Sequence, residues 1–132
     1  MALTKWAFVA GMFIACAPSR AAEVPSSSFD DTAGARRALI DPAARFTVIE
    51  FFSAHCPCQA VHDARLAALA KKYRASSVSF VAVDSEAGVN LVTDRAEALR
   101  RGYEYPILLD PHARAARALH ADYATYTVVV DA

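Results

Sequence analysis

Val48 to Tyr73 reads VIEFFSAHCPCQAVHDARLAALAKKY, and the fold is decided here. The stretch opens inside FTVIEFFS, Phe46 to Ser53, a β-branched and aromatic run with the character of a buried strand. It ends as a helix, because His62, Leu66, Leu69 and Tyr73 recur at i, i+4, i+7 and i+11, one face of a 3.6-residue period. Between strand and helix stand Cys56, Pro57 and Cys58. Pro57 is expected at the helix start, where its missing N–H costs nothing. A helix N-terminus offers unpaired N–H groups and partial positive charge, which stabilise a thiolate. Cys56, at or just before the first turn, is therefore a candidate nucleophile, and Cys58 is near enough to close a disulfide with it. The alternative is that both are small buried hydrophobes.

Working outward, strands and helices alternate. Val78–Asp84 (VSFVAVD) reads as a second strand and Asp94–Arg101 as a short helix stopped by Gly102. Ile107–Asp110 forms a third strand after Pro106, His112–Leu119 a further helix, and Thr127–Asp131 (TVVVD) a last strand. Upstream, Asp31-Thr32-Ala33-Gly34 has the chemistry of a hairpin turn, and Glu23–Ser28 reads as a short linker. The alternation predicts an α/β sheet with a parallel core. Tyr103 and Tyr105 are expected to pack on the Ile107 strand. Arg36-Arg37 and Arg100-Arg101 are expected on exposed faces, and His112 and His120 in solvent.

Composition excludes several classes of function. The chain has 132 residues, 55% of them apolar and 21% charged, so it is one domain and not a disordered tract. Lysine plus arginine and aspartate plus glutamate each number 14, which leaves no net field for nucleic acid. Met1–Ala22 holds Lys5, an apolar run from Trp6 to Ala17 and a small-residue exit, the layout of a secretory signal cleaved after Ala21. An uncleaved anchor is the alternative, although the run is shorter than the roughly 20 residues of a membrane span. Phe13-Ile14-Ala15-Cys16 also has the form of a lipobox, which would make Cys16 a lipidated N-terminus. Each version exports residues 23–132, to the periplasm if bacterial, where disulfides persist.

These residues resemble thioredoxin-like proteins, most closely the exported TlpA/ResA-like redoxins, which share a wider family with the alkyl hydroperoxide reductase/thiol-specific antioxidant group. The resemblance spans roughly Pro25 to Ala132 and includes Tyr105-Pro106-Ile107-Leu108-Leu109-Asp110 as the "FPVLLD" strand. It implies a central mixed sheet flanked by helices and thiol–disulfide exchange with protein thiols and a redox partner, without a cofactor. Cys56 falls on the attacking cysteine of the family's Cys-x-x-Cys motif, Gln59 on the second cysteine, and Cys58 one position early. Cys58 would then resolve the mixed disulfide. Glu50 matches the buried acid that relays protons to the resolving thiol, and a lone Glu in an apolar strand should independently have a raised pKa. The alternative for Glu50 is a solvent-facing sheet edge. His55 stands where thioredoxins have Trp and could favour the thiolate when charged.

Three departures shape the expectations. A Cys-x-Cys ring is smaller than the family's, and i, i+2 side chains diverge on a helix, so its disulfide should be strained and more oxidising. Thr125 occupies the place of the family's cis-proline, and the Ala124–Thr125 bond should be trans. Family members continue beyond Asp131-Ala132 into one more strand and a C-terminal helix, so both are expected to be missing, leaving an open edge or one that pairs with a second copy.

Other functions compete. Ser53-Ala54-His55-Cys56-Pro57 matches the end of a peroxiredoxin peroxidatic motif, although Ile49 replaces its proline and no arginine lies near Ala124-Thr125-Tyr126. His55, Cys56, Cys58 and His62 form a soft-ligand set suited to Cu(I) or zinc, against which His62 shares the apolar stripe of its helix. A non-catalytic binding domain of the same fold is the remaining reading.

Overall fold

A computed structural model describes residues 26–131. The leader, its cleavage after Ala21 and the lipidation of Cys16 lie outside the described residues. The hairpin expected at the start is present: β1 (Ser28–Asp31) pairs antiparallel with β2 (Arg36–Ala38). Asp31 Oδ1 fixes its turn by accepting from the N–H of Ala33 at 2.9 Å and of Ala35 at 2.8 Å. Gly34 supplies the positive φ of 85° that the turn needs.

The remaining elements are β3 (Phe46–Phe52), α1 (Gln59–Tyr73), β4 (Val78–Asp84), α2 (Leu91–Arg101), β5 (Ile107–Leu109), α3 (Arg114–Ala118) and β6 (Thr127–Asp131). They build one six-stranded sheet in the order β2-β1-β5-β4-β3-β6. β3, β4 and β5 run parallel, while β1 and β6 lie antiparallel to β5 and β3. The result is a mixed α/β sheet with a parallel core. Alternation along β3 assigns its side chains to two faces. Ile49 and Phe51 join Phe29, Leu39, Val81, Val83, Leu108, Ala115 and Leu119 in a core that includes α3. Phe52 packs on the other face with Ala82, Ile107, Tyr103 and Tyr105. That places the two tyrosines where the sequence put them, and Glu50 shares their face.

Element limits moved where a side chain caps a helix. α2 begins at Leu91 rather than Asp94, because Asn90 Oδ1 accepts from Val92 N at 2.9 Å and Thr93 N at 3.3 Å. α3 spans only Arg114–Ala118, and Asp110 receives its first N–H groups, from Arg114 and Ala115, at 2.8 Å each. α1 begins at Gln59, after a turn closed by Gln59 N donating to Cys56 O at 3.1 Å. Pro57 thus occupies the second position of that turn, which suits its fixed φ, and not the first helical position.

The stripe on α1 requires a correction. Leu66 is buried and His62 half-buried, but Leu69 is 43% and Tyr73 37% exposed. Both line a groove of about 670 Å³ against Val48, Phe80 and Val129, and no described element lies over it. β6 is the outer strand on this side among the described residues. The helical period identified the right face, but only its middle is covered. Leu66→Ala is therefore expected to cost about 2–5 kcal/mol, and Leu69→Ala less than about 1 kcal/mol. Urea unfolding midpoints at unchanged slope would measure both, and equal losses would contradict the open groove.

Candidate active site

The cysteines meet as expected. Cys56 and Cys58 form a disulfide with Cα atoms 5.3 Å apart, inside the range that a disulfide normally spans. Cys58, not Cys56, is the N-cap residue of α1. Cys58 is exposed together with Pro57 and His55, whereas Cys56 is half-buried.

Ser53 holds the loop that carries them. Its buried hydroxyl oxygen accepts from His55 N at 3.2 Å and Cys56 N at 3.1 Å, satisfying two backbone donors between strand and helix. The hydroxyl itself donates to Glu86 Oε1 at 2.5 Å. A hydroxyl three residues before the cysteine is thus used to shape the loop.

Below the loop lies Glu50, 1% exposed, which excludes the solvent-facing alternative. Burial pushes its carboxyl up to about 7, outweighing the donors that favour its charged form. Those donors are not thiols. Gln59 Nε2 gives a 2.7 Å hydrogen bond to Glu50 Oε1, and Tyr105 OH reaches Oε2 at 3.4 Å. Gln59, at the position of the family's second cysteine, is fully buried. Its second N–H is shared between Asp63 Oδ1 and Tyr103 OH, each at 3.1 Å, and its oxygen accepts from Ser53 N at 3.2 Å. One side chain therefore ties β3, the cysteine loop, α1 and Tyr103 together.

The network continues outward. Tyr103 OH donates to Asp63, and burial together with that bond raises its pKa, so it stays a phenol. Arg101 pairs with Asp63 at 2.7 Å and Glu97 at 2.8 Å, and its side chain is only 7% exposed. This corrects the expectation of an exposed Arg100-Arg101 face, which holds for Arg100 alone. Hydrogen bonds from Arg100 and Arg101 hold Glu97 down to about 2. At the end of β4, buried Asp84 faces the buried Asp94 of α2. Burial and the neighbouring Asp84 charge push Asp94 up to about 7, so it keeps a proton near neutrality.

Thr125 sits at φ 68°, with every described peptide bond trans, as the sequence implied. Its N–H donates to Phe51 O at 2.7 Å, which holds the β6 lead against β3. A cleft of about 520 Å³ opens beside it, lined by Phe52, Glu86, Arg117, His120 and Tyr123, and Glu86 links it to Ser53 of the cysteine loop. The Cys56 and Cys58 sulfurs bond each other, and among the described residues no group of three or more His, Cys, Asp or Glu is placed to hold a metal ion. The arginine that comes near the loop, Arg101, reaches Ala54 O at 3.4 Å, but its charge is met by Asp63 and Glu97.

No protein-family model matches the sequence, and no curated protein matches it. Solved structures do match. A hypothetical protein from Sinorhizobium meliloti superposes with a TM-score of 0.75 at 23% identity, over 82% of this chain and 62% of its own. A thiol-disulfide oxidoreductase from Bacteroides fragilis gives 0.72 at 12% identity, over 82% of both chains. A thioredoxin-like protein from Aeropyrum pernix gives 0.67 at 18%, over 80% of this chain and 74% of its own. The chain therefore spans less than two thirds of the Sinorhizobium protein's length. The fold is thioredoxin-like.

Sequence reasoning located Glu50, Cys56 and Cys58 but missed Gln59, Asp63 and Arg101. One signal was present: Gln59 is the only glutamine in the chain, placed three residues after Cys56. Replacing it by leucine leaves Glu50, Asp63 and Ser53 N short of a partner. Glu50's folded pKa lies above its unfolded value of 4.5, so its contribution to stability is full below that pH and is lost as pH rises through about 7. Without the Gln59 donor the carboxylate is worse off, so the cost of Gln59→Leu should grow across that window. The expected penalty is about 3 kcal/mol at pH 8 and clearly less at pH 5, from chemical denaturation at both pH values. A pH-independent penalty would contradict the Glu50 contact.

Proposed function

We propose that the chain is an exported thiol–disulfide oxidoreductase that works through Cys56 and Cys58. The observation that carries this reading is a bonded cysteine pair at the mouth of a helix on a thioredoxin-like fold. A partner thiolate opens the disulfide by forming a mixed disulfide with one sulfur and releasing the other as thiolate. A second partner thiolate then displaces the protein, leaving the partner oxidised and the pair reduced by two electrons. The reverse sequence reduces a partner disulfide.

Local chemistry supports exchange. The partial positive charge of the α1 N-terminus lowers the cost of a thiolate. Glu50, near 7 and linked to the loop through Gln59 and Ser53, can hold or yield a proton at neutral pH. Protein thiols and disulfides are the proposed substrates. The cleft beside Thr125, with Tyr123 65% exposed at its rim, gives a polypeptide room to lie against Glu86, which anchors the cysteine loop through Ser53. Export rests on the signal-like pattern of residues 1–22 and agrees with a cysteine pair that can be found oxidised, since disulfides form outside the cytosol. Periplasmic release or a lipid at Cys16 are its two forms.

Thiol trapping of metal-free protein in defined glutathione buffers tests the reading. The expected result is a reversible two-electron transition above about −230 mV, which the short Cys-x-Cys ring favours. Either Cys56→Ser or Cys58→Ser should abolish it. Absence of an intramolecular disulfide at every potential would refute the assignment.

A further inference from the structure

We infer that Cys58 is the sulfur that exchanges with partners and that Cys56 is the one that closes back on it, the reverse of the order that the family resemblance implies. This rests on the thiol–disulfide reading above and assigns polarity to the same pair.

Two observations converge on it. The first is access. A thiolate must approach the attacked sulfur in line with the S–S bond, so the sulfur on the open side is attacked first. Cys58 is exposed, with exposed Pro57 before it and exposed Ala60 after, whereas Cys56 is half-buried. The second is occupancy of the sheltered position. Gln59 fills the buried place over Glu50 through four hydrogen bonds, so no cysteine stands there to act as a protected resolving thiol. Of the two cysteines present, the more sheltered is Cys56. Its backbone is also pinned on both sides, its N–H by Ser53 Oγ at 3.1 Å and its carbonyl by Gln59 N at 3.1 Å. A fixed, sheltered thiolate suits internal closure.

The step then balances as follows. A partner thiolate attacks Cys58 Sγ, the Cys56–Cys58 bond breaks, and its electron pair leaves on Cys56 Sγ. A second partner thiolate attacks the partner's own sulfur in the mixed disulfide, and the electron pair leaves on Cys58 Sγ. The partner has lost two electrons and its thiol protons; the pair has gained two electrons and takes up protons from solvent. Run backwards, the Cys58 thiolate attacks a partner disulfide and Cys56 resolves the mixed disulfide at Cys58 Sγ.

The test uses the whole chain with reduced glutathione as the probe. Oxidised protein is mixed with glutathione, quenched in acid after short times, alkylated and mapped by peptide fragmentation, which separates adducts at Cys56 from those at Cys58. At least about tenfold more glutathione is expected at Cys58. In parallel, the single thiol of Cys56→Ser should react with iodoacetamide at neutral pH about tenfold faster than that of Cys58→Ser. Glutathione mainly at Cys56, or equal amounts at both, would overturn the polarity and leave the redox function standing. If no disulfide forms in oxidising buffer and neither cysteine takes up glutathione, the redox reading itself fails and the polarity falls with it.

Discussion

A single buried amide, that of Gln59, joins the end of β3, the cysteine loop and the first turn of α1. One N–H goes to Glu50 on the strand, the other is shared between Asp63 and Tyr103, and the oxygen accepts from Ser53 N, all within 3.2 Å. Each of those groups is wholly or partly removed from water, where an unmatched polar atom costs about 1–3 kcal/mol. The amide matches them together. It also fixes how α1 enters the sheet, and so where the two cysteines stand. Arg101 closes the outer side of the network through Asp63 and Glu97.

The rest of the site follows from that arrangement. With the Gln59 amide in the sheltered position, Cys58 stands exposed at the start of α1. Ser53 and Glu86 secure the other side of the loop, so the pair lies between two hydrogen-bonded clamps, both of them anchored at or beside the end of β3. The acid under the site is linked to the cysteine loop through Gln59 and the backbone that it holds. On this thioredoxin-like scaffold the buried acid is met by an amide, that of Gln59, at 2.7 Å.

Much of the fold was legible because it is written in local patterns. The apolar runs of β3 and β4 and the Gly102 stop of α2 depend on neighbours in sequence, and the strands from Val78 and from Thr127 end where they were read. Helix starts were less legible, since Asn90 and Asp110 cap from outside the periodic segment. The α1 stripe shows a different limit. A period reports which residues share a face, whereas the cover over Leu69 and Tyr73 depends on other elements. At the site, Glu50 could be read as perturbed because a carboxylate in an apolar strand must be desolvated. Arg101 could not: its burial depends on Asp63, 38 positions away, and beside Arg100 it looks like any solvated pair.

The most direct test of this account is a carbon NMR titration of the Glu50 carboxyl in the oxidised protein, assigned by comparison with Glu50→Gln. A carboxyl buried beneath the Gln59 amide should titrate with a midpoint of about 7. A midpoint near the ordinary value of 4.5 would place it in water, away from Gln59, and would contradict the arrangement on which the cysteine loop depends.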